Sequence, residues 1–233
     1  MTAVETAETT AKTAETAGTA VETVPPADLQ AFAAETARVA AEAFRALRDT
    51  GVLSPSATVQ INERVPGHDK VVGVVHPNPW RTRTPQVRAD VFGFDGTPYL
   101  GDPAAARGAR RFAAAFERHA DITTVVHVHT PYLGAWAQVH RALPVTHGGL
   151  RRVTDVPEIP VYIDRRQAEV DFILEQIDRD RRIRAIVEAN GGGTVWGRDG
   201  LAETVAFIQV LEQAARATAL AETLGVAADD PAR

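Results

Sequence analysis

The chain has 233 residues, 45% apolar and 24% charged, with a formal net charge of −5 and no cysteine. It can build one large domain or two small ones; its acidic balance argues against nucleic acid, which calls for a basic face. Without thiols, disulfides and cysteine nucleophiles are excluded, and any metal site must use nitrogen and oxygen donors.

Residues Met1 to Val24 repeat Thr, Ala and Glu without bulky apolar periodicity. Such a segment cannot bury enough surface to offset the entropy of ordering, so residues 1–26 are expected to be a disordered tail. It lacks the basic-then-apolar order of a signal peptide, and no run approaches the roughly eighteen apolar residues that cross a bilayer. A cytoplasmic chain with no membrane partner is expected.

Pro25-Pro26 and Asp28 open a helix whose apolar positions Leu29, Phe32, Val39, Ala40, Phe44 and Leu47 share a face, and Gly51 stops it. Short β-like runs follow. Thr58 to Ile61 alternates, Pro66-Gly67-His68-Asp69 is turn chemistry, Val71 to Val75 is a nearly continuous strand, and Asp95-Gly96 is a hairpin turn between Val91-Phe92 and Tyr99-Leu100. Asp102-Pro103 begins a helix running to His119, and a further helix spans Pro131 to Arg141. Pro157 to Ile163 reads as a strand, Glu169 to Ile177 as a helix, Ile183 to Glu188 as a buried strand, Gly191-Gly192-Gly193 as a break, and Leu201 to Leu224 as a long closing helix. The last seven residues, 227–233, read as a second tail. A mixed sheet sandwiched by helices satisfies this order.

Between two of those helices runs Thr124-Val125-Val126-His127-Val128-His129-Thr130-Pro131. Alternation along a strand puts His127 and His129 on one face, where they can converge on one ion or be satisfied by solvent and core. Two histidines alone hold a divalent ion weakly, since such sites normally use three or more protein ligands. His147, Glu188 and His76 are the nearest candidates to complete the site. Glu188, at the end of an apolar strand, has a solvent-facing carboxylate as its ordinary reading and a 2-His-1-carboxylate ligand as its functional one. His68, His119 and His140 read as structural or surface residues. Trp80, Tyr132 and Trp136 can line an apolar pocket or pack the core, and Arg81, Arg83 and Arg88 can meet a substrate carboxylate or stand in solvent. The triple glycine lacks the Lys-Ser or Lys-Thr pair of a P-loop.

Arg64-Val65-Pro66-Gly67, His76-Pro77-Asn78-Pro79, Asp121 to His129 and Gly197-Arg198-Asp199 occur in the order of motifs of the class II aldolase and adducin head domain family, which the chain resembles over roughly Leu29 to Leu224. The resemblance implies a three-layer α/β/α fold over residues 27–226 around a central mixed, largely antiparallel sheet. It also implies a homotetramer or other homo-oligomer, and a divalent metal (Fe, Zn, Mn or Co) held by His127 and His129. The chain departs from the pattern at three polar positions: Gly108 stands at the family's acid/base carboxylate, Gly191 at its third metal histidine, and Gly148 at a tyrosine of the fuculose-phosphate type.

Three functions follow from the resemblance. One is a metal-dependent lyase breaking a C–C or C–O bond in a small carbonyl or hydroxy-acid substrate, with His147 and His76 as candidate catalytic residues. Another is a non-heme iron oxygenase decarboxylating an aryl 2-oxo acid, as in aminocoumarin antibiotic biosynthesis. The third is a non-catalytic, adducin-like oligomerisation domain.

Overall fold

A computed structural model describes residues 26–55, 58–76, 86–102, 110–189 and 191–225. The Thr/Ala/Glu-rich repeat, the last residues, Pro77 to Arg83, Gly108 and Asn190 lie outside the described residues. The first helix, α1 (Pro26–Asp49), carries Asp28 in its first turn and Arg48 in its last, matching the helix dipole at both ends. Leu29, Ala33, Ala40, Phe44 and Leu47 are its buried stripe. Gly51 takes a positive φ of 73°, which lets the chain turn away where a side chain would be strained.

Four strands follow: β1 (Val59–Arg64), β2 (Lys70–Val75), β3 (Ala89–Gly93) and β4 (Pro98–Leu100). They form an antiparallel meander. Next come α2 (Ala113–Arg118), β5 (Thr124–Val128), α3 (Pro131–Ala137), β6 (Leu143–Pro144), α4 (Gly148–Arg151), β7 (Glu158–Ile159) and β8 (Val161–Tyr162). The chain closes with α5 (Glu169–Arg179), β9 (Ala185–Glu188), β10 (Gly193–Gly197) and α6 (Leu201–Thr223). Eight strands make one sheet in the order β4-β3-β2-β1-β5-β10-β9-β8, and β6 pairs with β7 separately. Only β8 and β9 run parallel, so the sheet is mixed and largely antiparallel.

The expected strand over 157–163 is two short pieces interrupted at Pro160, whose missing N–H cannot serve a ladder. The Gly191-Gly192-Gly193 break is followed by β10, a fully buried strand at the centre of the sheet. Its glycines mark close approach rather than absence of structure. A Cβ on Gly193 would lie 2.7 Å from the Leu133 side chain, and one on Gly197 would lie 2.0 Å from Thr204 Oγ1. Helices α3 and α6 therefore press on this strand where it has no side chain to offer.

Strand alternation divides the sheet's residues between two helical layers. Ile61, Val126 and Val195 form one row across β1, β5 and β10, facing the side of α1 and α6. Gln60, His127, Thr194 and Ile186 form a row on the other face, with α2 and α5. On the first face Glu63 accepts the Thr124 hydroxyl at 2.5 Å, and burial raises its carboxyl to about 7 against that hydrogen bond. A folded-state value above the unfolded value of 4.5 means stability is full below about pH 4.5 and falls as the pH rises through 7. Glu63→Gln is expected to gain about 2 kcal/mol over the parent at pH 8 and nothing at pH 4. Urea unfolding at the two pH values checks this; an equal change at both would contradict it.

Candidate metal centre

Centrally placed β5 delivers His127 to the α2 and α5 face with the ring buried, 7% exposed. Its Nδ1 lies 2.9 Å from Glu188 Oε1 and 3.1 Å from the Thr194 hydroxyl. Thr194 faces it directly across the β5–β10 ladder, and Glu188 ends β9 on the same face. Glu188 is 3% exposed, so the solvent-facing reading of this strand end does not hold. The fourth member comes from another layer: Glu169, first residue of α5, lies 3.0 Å from the Thr194 hydroxyl. That hydroxyl is also 2.5 Å from Glu188, and its one proton can serve only one carboxylate at a time.

Arg111, just ahead of α2, pairs with Glu169 and lies 3.5 Å from Glu188. Burial by itself would raise the Glu188 carboxyl, but the hydrogen bond and charge of His127, the Thr194 hydroxyl and Arg111 together outweigh it and hold it below the ordinary range. Burial and the neighbouring Glu188 charge push Glu169 the other way, upward. Two carboxylates against one guanidinium leave the cluster one positive charge short when both are ionised, which a proton on Glu169 or a bound cation would make good. His127, Glu169 and Glu188 each offer a ligand atom, and all three atoms lie within 4.8 Å of one another. The donors are imidazole nitrogen and carboxylate oxygen, a set suited to zinc, iron, manganese or cobalt. A separation of 2.9 Å between Nδ1 and Oε1 also suits two neighbouring ligands on one ion, each about 2.1 Å from it.

His129 stands just beyond β5, half-buried, its ring centroid 5.1 Å from that of His127 and inclined at 73°. Burial and the charge of His127 lower its pKa. Its backbone is fixed by bonds from its N–H to Thr58 O (2.9 Å) and from Ser54 N–H to its carbonyl (3.1 Å). Gly192 lies so close that a Cβ there would meet Val128 O at 2.0 Å and His129 Cα at 2.8 Å. Immediately afterwards, buried Glu212 of α6 accepts the Thr130 hydroxyl (2.6 Å) and the N–H groups of Tyr132 and Leu133 (2.7 Å each), capping α3 from across the domain.

The other sequence candidates stand elsewhere. His147 precedes α4 with its ring over Gly149 and a buried, unbonded Nδ1, and it is not in the His127–Glu169–Glu188 group. His76 lies edge-on to Phe44 of α1, 4.7 Å between centroids. Gly148 begins α4 with open space where a side chain would stand, and a Cβ on Gly191 would lie 3.3 Å from Glu188 Cβ. Trp136 is buried and donates to Arg141 O, while Tyr132 lies under Arg216. His119 is buried 3.5 Å from Asp178, and His140 and Arg88 are exposed.

Sequence reasoning missed Glu169, Thr194, Arg111 and Glu212. Glu169 looks like any acidic residue in a first helical turn, and Thr194 is hidden behind the glycine run. A glutamate following the largely apolar run Phe207 to Leu211 of α6 was the one readable signal, for Glu212.

The mixed sheet between two helical layers, with the His-x-His strand inside it, is the architecture of a class II aldolase-type α/β domain. The model of the class II aldolase and adducin N-terminal domain matches residues 85–219. The chain belongs to that family. Among solved structures it is similar to an L-fuculose 1-phosphate aldolase, with a TM-score of 0.66 and 15% identity over 82% of this chain and 88% of that one. YgbL from Escherichia coli is similar with a TM-score of 0.59 and 21% identity, over 82% and 90% of the two chains. A sugar-phosphate aldolase from Thermotoga maritima gives 0.56 and 16%, over 82% and 96%. No curated protein matches the chain. No helix among the described residues is long and apolar enough to cross a membrane.

Because Glu212 ties α6 to the backbone that follows His129, its loss leaves two N–H groups and one hydroxyl without their acceptor. Glu212→Ala is expected to cost about 3 kcal/mol in urea unfolding and Glu212→Gln less. A cost under about 0.5 kcal/mol for the alanine variant would contradict the role.

Proposed function

We propose that the protein is a metal-dependent lyase acting on a small carbonyl or hydroxy-acid substrate, with its divalent ion held by His127, Glu188 and Glu169 and joined by His129. The buried His127–Glu188–Glu169 group carries this reading: it gathers three donors in a cluster short of positive charge. It supplies from α5 a carboxylate in place of the histidine that Gly191 lacks. Such an ion, when bound, polarises a carbonyl or hydroxyl oxygen and stabilises negative charge developing as a bond breaks.

The chain's own residues divide the remaining work. Thr194 stands between the two carboxylates and donates to one of them at a time, and the β5–β10 ladder holds it opposite His127. Arg111 is 37% exposed, the most accessible charge of the group, and with Glu169 engaged by an ion its guanidinium would be free to pair with a substrate carboxylate. That pairing favours an acid substrate over a neutral sugar. The similarity to an L-fuculose 1-phosphate aldolase and to a sugar-phosphate aldolase supports carbon–carbon cleavage as the reaction type. The same reading carries the expectation of a homo-oligomer in the cytoplasm.

Metal analysis of protein purified without a histidine tag tests it. The parent is expected to bind close to one equivalent of zinc, manganese, cobalt or iron, and His127→Ala and Glu188→Ala to weaken binding at least about 100-fold while keeping the fold. Arg111→Met, which removes a competing cation, is expected to bind metal as tightly as the parent or more so while losing activity. Unchanged occupancy in both the His127 and Glu188 variants would sink the assignment.

A further inference from the structure

At the end of the sheet away from His127, a cleft of about 720 Å³ opens between the β1–β2 turn, the β3–β4 hairpin and the C-terminal end of α2. Arg64 marks it on β1, four residues from Gln60, the partner of His127, which sets the two places about 13 Å apart along the strand. The cleft is of a size that holds a small molecule.

Two cations line it, and among the described residues neither makes an ion pair. Arg64 sits between the Phe94 and Phe116 rings, 5.2 and 5.4 Å from their centroids, and spends Nε and Nη2 on the carbonyls of Ile122, Phe116 and His119. Lys70 is one of only two lysines in the sequence and is 5% exposed. Its Nζ rests 4.5 Å from the centroid of the Tyr99 ring and has no hydrogen-bond acceptor among the described residues. The aliphatic stem is buried while the ammonium reaches the cleft, where its N–H donors are available to a bound group. Half of the other described arginines are paired with carboxylates. The carboxylates that line the cleft, Asp69, Asp95 and Glu117, are exposed; Asp95 is occupied by Thr97, and Asp69 and, from outside the cleft, Asp121 act on Arg64 through space. Exposed negative charges around a cationic floor repel an extended polyanion and admit a compact one.

We propose that this cleft binds a compact oxyanion, the carboxylate or phosphate-monoester group of a small metabolite, on the Lys70 ammonium beside the Tyr99 ring. The site stands apart from the metal centre and does not depend on it.

The test is a ¹H–¹⁵N NMR titration of the full chain with inorganic phosphate and, separately, acetate, at constant ionic strength. The expected result is saturable movement of the Gly67, Asp69, Lys70 and Gly93 amides, with a dissociation constant in the millimolar range. Saturation by phosphate alone assigns a phosphate ligand, and saturation by acetate alone assigns a carboxylate. Lys70→Met is expected to weaken binding at least about 10-fold, and Lys70→Arg, which keeps the charge, to retain it. Non-saturating movement up to about 100 mM, movement confined to amides around His127, or parental binding by Lys70→Met would overturn the proposal. Should Lys70→Met fail to fold, the site-resolved titration of the parent and of Lys70→Arg decides.

Discussion

The structure turns on the ladder that sets β5 between β1 and β10. Paired on both edges, β5 cannot slip by one residue without sending His127 to the opposite face and Val126 into the polar one. That register aligns His127 with Thr194 and brings Glu188 within hydrogen-bonding distance. Everything polar in the centre is hung on it: Glu169 reaches in from α5 through Thr194, and Arg111 from the chain ahead of α2 answers the two carboxylates.

Such a network is expensive to bury and has to be satisfied within itself. The opposed displacements of Glu188 and Glu169 show how it is balanced. Glu188, bonded by an imidazole and a hydroxyl, is held ionised, while Glu169, beside that charge, resists a second one even with Arg111 paired to it. A cation arriving there would be met by two carboxylates and a buried imidazole, and Arg111 is the charge it displaces. In the proposed centre the donor that Gly191 cannot supply would come from Glu169, on a helix rather than in the strand's own neighbourhood.

Much of the architecture was legible because the sequence wrote it locally. The stripe of Leu29, Ala40, Phe44 and Leu47, the Asp95-Gly96 turn and the Val71 to Val75 run each carry their own periodicity or turn chemistry. The strand β10 was not legible, since Gly191-Gly192-Gly193 reads as a break and the real cause of the strand's glycines, close approach by α3 and α6, is a tertiary fact. His127 was visible through alternation along one strand. Glu188 was visible as a residue, but whether its carboxylate faced water or His127 depended on the β9–β10 pairing. Glu169 and Arg111 were out of reach for the same reason: their partners lie 25 and 77 residues away in the chain. Glu212 likewise acts 82 residues from Thr130, capping the helix that begins where the histidine strand ends.

The most direct test of the account is diffraction from crystals grown with cobalt or zinc, recorded at the metal's absorption edge. The proposed centre predicts one strong anomalous peak bonded to His127, His129 and carboxylate oxygens of Glu188 and Glu169, at separations of about 2.0–2.2 Å. A peak only at surface residues, or a fully loaded crystal in which His127 keeps its hydrogen bond to Glu188 with no metal beside it, would contradict it.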